Sequence, residues 1–149
     1  MPTNSAARLT VKPGMDPPFW KFWMELTHER RPGHQGKNVH SIWEIVRHIN
    51  VWDAAAVLRM AGEVVQPEGE ADWPKVSDVS QEAWETTVSN LVRTHKSLVK
   101  AAEAFPDMRL SERVPGKKQD FYNFYYMLHG LAQHELYHAG QIAILKKIN

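Results

Sequence analysis

Apolar residues recur every three to four positions in four stretches of the chain, and Gly and Pro cluster between those stretches. No stretch alternates with period two for the length of a strand, so the pattern predicts an all-α domain. A first helix is expected from Asp16, an N-cap ahead of Pro17 and Pro18, with Phe19, Trp20, Phe22, Trp23 and Leu26 on its apolar face and Arg31-Pro32-Gly33 at its end. The second opens on Ser41-Ile42-Trp43-Glu44, where the Ser side chain bonds an orphan N–H and the Glu reaches back to the cap. Its stripe of Ile42, Ile45, Ile49, Trp52, Ala56 and Met60 runs to Gly62.

Residues 63–78, with Pro67, Gly69, Pro74 and Trp73, form a connection long enough to lid a site or cap a bundle end. A third helix is expected from about Val79 to Phe105, with Trp84, Val88, Leu91, His95 and Leu98 in register before Pro106. Asp120 is expected to cap a last helix running almost to Asn149, with Phe124, Leu128, Leu131, Ile142 and Leu145 inward. The simplest assembly is an antiparallel four-helix bundle with a long connection between helices 2 and 3; an irregular helical array is the alternative. Residues 1–15 read as a flexible N-terminal arm and 16–149 as a single bundle domain.

Composition narrows the chemistry. The chain of 149 residues has 18 Lys plus Arg against 17 Asp plus Glu and no long basic run, which gives nucleic acid no support. No apolar run has membrane-spanning length, and Met1–Gly14 lacks the apolar core of a signal peptide, so a cytoplasmic location is expected. With no cysteine, any metal must sit on His and carboxylates.

Eight histidines supply the candidates. His134 and His138 stand at i and i+4 on one face of the last helix, a spacing from which two rings can reach one ion. By chance alone such pairs number about 0.4 in a chain of this composition, but His134-Glu135-Leu136-Tyr137-His138 reads H-E-x-x-H, which lowers the expectation to roughly 0.03. Glu135 falls inside the apolar stripe, where a carboxylate needs a positive or hydrogen-bonding partner unless it snorkels at a bundle end. No His, Asp or Glu follows His138, so a third ligand must come from another helix. His48, at the edge of the second helix's stripe, and His95, within the third helix's stripe, compete for that place, and the residues alone do not rank them. His129 lies about 180° round the helix from His138 and reads as structural or surface. His28, His34 and His40 read as solvated residues near a helix end, with His40 placed to approach the end of the bundle.

His40-Ser41-Ile42-Trp43-Glu44-Ile45-Val46-Arg47-His48-Ile49, followed by Trp52, resembles the second-helix signature of the DinB/YfiT-like proteins, and the run from Leu128 to Ile142 resembles their last-helix signature. The two segments cover about a sixth of the chain. The resemblance implies a four-helix bundle, often a homodimer, holding one divalent metal on three His, which here are His48, His134 and His138. The Pro-rich arm and short first helix depart from the longer first helix of the family.

Characterised relatives implied by the resemblance include low-molecular-weight-thiol S-transferases. Three neutral imidazoles with an open position suit catalysis, with Zn or Ni the favoured ion and Glu135 as general base or as a partner orienting a ligand imidazole. The expectation is a metal-dependent enzyme acting on a small molecule with an external thiol, because the chain has no Cys of its own. A metal-dependent hydrolase and a non-catalytic, stress-response metal- or ligand-binding module are the rivals. Trp52, Tyr137 and the first-helix aromatics are candidates for the pocket wall.

Overall fold

The computed structural model describes residues 39–148, and the expected N-terminal arm and first helix lie outside them. Three α-helices are present among the described residues: α1 (Ile42–Met60), α2 (Gln81–Ala104) and α3 (Phe124–Ile148). They match the expected second, third and last helices, and no extended strand accompanies them.

Each helix begins where a side chain satisfies its first amides. At α1 the reciprocal cap forms as the sequence predicts: Ser41 Oγ accepts from the Glu44 amide at 3.2 Å, and the Glu44 carboxylate accepts from the Ser41 amide at 2.7 Å. At α2 the cap is Ser80, whose Oγ accepts from the Ala83 amide. α3 starts later than expected. Residues 110–114 fold back on 122–125 through Val114 N–H to Tyr122 O, Phe124 N–H to Glu112 O and Tyr125 N–H to Leu110 O. These bonds hold the chain out of helical geometry until Asn123, whose side chain accepts from the Tyr126 amide at 2.9 Å. Asp120, the expected cap, pairs instead with Arg113 at 3.1 Å.

The direction of the helices follows from two apolar clusters. The first joins Trp43, Ile45 and Ile49 of α1 to Trp84, Val88 and Leu91 of α2 and to Ile142 and Leu145 of α3. The second joins Ala56 and Met60 to Leu98 and to Phe124, Met127 and Leu131. α3 is therefore antiparallel to both other helices, to α2 as expected and to α1 where alternating helices would run parallel. α1 and α2 run in the same direction, which corrects the all-antiparallel expectation. α1 is about 28 Å long at 1.5 Å per residue, and the connection between Met60 and Gln81 is long enough to travel back along all of it.

Between the clusters the facing positions are polar. α1 contributes His48 and Asp53, α2 contributes His95, and α3 contributes His134, Glu135 and His138. All but His95 and His134 are classed with the buried residues, and Asp53 is wholly so. A band of ionisable groups inside a helical core is costly unless its members satisfy one another or bind something. The geometry of that band decides what the molecule can do.

Candidate metal centre

The Nε2 atoms of three imidazoles converge. His48 Nε2 lies 2.9 Å from His134 Nε2, and His138 Nε2 lies 3.0 Å from the same atom. Antiparallel packing of α1 on α3 brings His48 opposite the His134/His138 pair, one turn of α3 carrying both. The sequence expectation of His48, His134 and His138 as one group corresponds to this cluster.

The far nitrogens settle the direction of the lone pairs. His48 Nδ1 donates to the Asp72 backbone oxygen at 2.9 Å and faces the Asp72 carboxylate at 3.0 Å. His138 Nδ1 donates to Gln141 Oε1 at 2.6 Å, and Gln141 Nε2 in turn donates to the Tyr137 hydroxyl at 3.0 Å. With their protons on Nδ1, both rings aim Nε2 lone pairs at His134. The His134 Nδ1 is buried with no hydrogen-bond partner. One proton on His134 Nε2 can reach only one of the two facing lone pairs, so the trio is unsatisfied as it stands.

Electrostatics point the same way. Burial, reinforced by the neighbouring His138 and His48, drives the His134 imidazolium down to about 4. Burial also lowers His138, against a raising hydrogen bond from Gln141. His134 and His138 are thereby held as neutral imidazoles, the form that ligates metal. A tetrahedral zinc with bonds of about 2.0–2.1 Å separates its nitrogens by about 3.3 Å, within a few tenths of an ångström of the spacing found here. The donor set fits a divalent transition ion.

The long connection covers this site with two residues the sequence reading did not assign to it. Asp72 holds His48 and also accepts from Trp52 Nε1 at 2.7 Å. Trp73 lies between two rings, stacked on His48 with centroids 3.8 Å apart and on His40 at 3.6 Å, each nearly coplanar in orientation. His40, expected near a bundle end, thus reaches the site's outer wall. No periodicity announces either residue, because both sit in irregular chain.

His95, the rival third ligand, belongs to a second group. Its Nδ1 is 3.2 Å from Asp53 Oδ2 and 3.5 Å from Glu135 Oε1. Burial pulls the His95 pKa down, but hydrogen bonds and attraction from Asp53 and Glu135 outweigh it and raise the value to about 9. Burial raises the Asp53 carboxyl to about 7 despite the opposing bond from His95. Glu135 therefore has the positive partner its place in the apolar stripe demanded, and it stands in this group rather than among the three imidazoles. Asp53 gave a sequence signal that went unread: a carboxylate within the inner face of α1, one turn from Ile49 and Ala56. His129 is exposed, beside Tyr125, in keeping with its reading as a surface residue.

A cavity of about 390 Å³ opens against His48 and His134, with Trp52, Tyr126 and Leu131 among its walls. Tyr137 is exposed, so of the expected wall residues on α1 and α3 only Trp52 lines it. A broader hollow of about 740 Å³ between α1 and α2, bordered by Arg47, Asp78 and Asn90, touches none of the three imidazoles. No described helix is long and apolar enough to cross a membrane.

A family model described as the DinB superfamily matches residues 7–142. No curated protein and no solved structure matches the chain.

Proposed function

The chain belongs to the DinB superfamily, and from that premise we propose that it is a divalent-metal-dependent enzyme acting on a small molecule, with His48, His134 and His138 as the ligands. The observation that carries this reading is the convergence of three Nε2 atoms, those of His48 and His138 each within 3.0 Å of that of His134 and each with its ring proton on the far side. Zn or Ni is the favoured ion.

Thiol transfer is the reaction proposed first. The sulfur of an external low-molecular-weight thiol bonds to an electrophilic carbon, the bond from that carbon to its leaving group breaks, and the thiol proton passes to a base. A bound divalent ion supplies Lewis acidity, which favours thiolate over thiol and would likewise lower the pKa of water for hydrolysis. The protein's part is orientation. Asp72 and Gln141 fix two imidazoles by their Nδ1 protons, and Trp73 packs over His48 and excludes water from that side. Glu135, paired with His95, orients none of the three ligand imidazoles, so the proton-holding role assigned to it is that of general base.

The cavity against His48 and His134 favours an organic substrate over the rival module that only sequesters metal. The reading also has the protein working in the cytoplasm as a homodimer, for which light scattering is the check.

Elemental analysis of untagged, chelator-free protein beside His138→Ala tests the proposal. About one transition metal per chain, lost in the variant, is the expected result. No metal in the parent protein after reloading would overturn it.

A further inference from the structure

The cavity beside the three imidazoles has a second chemical end. Its α1 wall is formed by His48, Trp52, Ala56 and Arg59, which follow one another at steps of four, four and three residues and so lie on one helix face. Across the cavity α3 runs the opposite way, so His134 faces His48 while Tyr122, just before α3, meets Arg59. The Cα atoms of His48 and Arg59 are about 16 Å apart along α1. The cavity is thus an elongated slot with the candidate metal centre at one end and a guanidinium at the other.

Arg59 is 1% exposed. Its Nε donates to Val65 O at 2.9 Å, its Nη2 donates to Gln66 Oε1 at 3.3 Å, and its guanidinium lies 5.3 Å from the Trp52 ring centroid. Among the described residues no carboxylate forms an ion pair with it. A second cation, Lys117, stands at the same end, bonded to Gln66 Oε1 and 5.0 Å from the Tyr122 ring, with Glu68 attracting it from longer range. Burial lowers the Arg59 pKa from its usual value, against a hydrogen bond and attraction from the Tyr122 hydroxyl that raise it. A buried cation in the wall of a cavity, whose hydrogen-bond partners Val65, Gln66 and Tyr122 are all neutral, is poised for an anion.

The middle of the slot is kept open by small residues. Ala56 lines one wall and Gly130 the other, and a Cβ added at Gly130 would meet no atom within 4 Å. Aromatic rings of Trp52, Tyr122 and Tyr126 flank this middle section.

We infer that the substrate or cosubstrate of this site is an elongated small molecule with a terminal anionic group, carboxylate or phosphate, bound by Arg59, an apolar middle lying past Gly130, and a donor atom directed at the three-histidine centre. This deepens the proposed function and rests on it, since the far end of the ligand is read against a metal at His48, His134 and His138.

The test is calorimetric titration of zinc-reloaded protein with ω-mercaptocarboxylates of increasing chain length and with the ω-mercaptoalcohols of matching length, zinc content being measured on the same samples. Carboxylates are expected to bind roughly tenfold or more tightly than their alcohols once the chain is long enough to reach Arg59, and Arg59→Gln is expected to erase that preference. Gly130→Leu, whose Cβ meets no atom within 4 Å and whose branch occupies the slot, is expected to weaken the long members while zinc stays at one per chain. Repeating the best-binding length with an alkyl phosphonate in place of the carboxylate distinguishes the two anion chemistries. Equal binding of carboxylate and alcohol at every length by zinc-loaded protein overturns this inference alone. Protein that takes up no zinc overturns the metal reading and this inference with it.

Discussion

The ring of His48 is held from behind by Asp72, which accepts from its Nδ1 and from Trp52 Nε1 with one side chain and one carbonyl. Partners of this kind raise ligand basicity and fix the ring, and their loss weakens metal binding about 10- to 100-fold. Asp72→Ala, which removes the carboxylate and leaves the backbone acceptor, is expected to lower zinc affinity about tenfold, the low end of that range, read by competition with a chromophoric chelator, while helical content by circular dichroism stays unchanged. An affinity equal to the parent's would remove the Asp72 carboxylate from the site. The residues show how far local pattern reaches. His134 and His138 were legible because i,i+4 spacing on a helix is a geometric statement in itself. His48 and His95 could not be separated by spacing, since each sits on its own helix's inner face, and only the packing of α1 and α2 on α3 sends one to the imidazoles and the other to Asp53 and Glu135. Asp72 and Trp73 gave no signal because an irregular connection has no period from which to read a direction.

At the scale of the elements, helix ends were legible where the cap is local. Ser41 and Glu44 close their reciprocal bonds within four residues, and the prediction from sequence needed nothing else. The start of α3 was misplaced because its competitor is not local. Backbone bonds from 110–114 capture the chain around Tyr122 to Tyr125, so Asn123 rather than Asp120 becomes the last residue outside the helix. Asn123→Ala is expected to cost about 1 kcal/mol of stability, and Asp120→Ala, which removes only an exposed ion pair with Arg113, a few tenths of that at most. Urea denaturation of the two variants against the parent measures both, and equal costs would return the cap to Asp120. The 63–78 connection was recognised as long, but its path along α1, which makes α1 and α2 parallel, depends on which apolar faces meet.

Taken whole, the molecule carries a polar layer between two apolar clusters, and that layer ties stability to pH. His95 holds its proton to about 9 in the fold against an ordinary 6.5, so its contribution is fully present below 6.5 and is lost as pH rises through 9. Asp53, raised from 3.8 to about 7 by burial, acts with the same sign over its own range: the folded state resists its ionisation, and stability declines between those values. In chelator-treated protein the urea midpoint is therefore expected to fall between pH 6.5 and 9, by an amount on the order of 1–3 kcal/mol in stability, and the decline is expected to flatten in His95→Gln. A variant whose midpoint falls as steeply as the parent's would exclude His95 as its source. By itself the sequence determined the helical class, the three described α-helices and their inner faces, and the i,i+4 histidine pair of α3, because each of these is written in the 3.6-residue period of a helix and in side chains bonding their own neighbours. Only the tertiary structure decided the direction of α1 against α2, the separation of His48 from His95, the covering of the site by Asp72 and Trp73, and the slot that ends at Arg59. Those depend on distances between residues far apart in the chain, which packing of apolar faces sets and local periodicity does not encode.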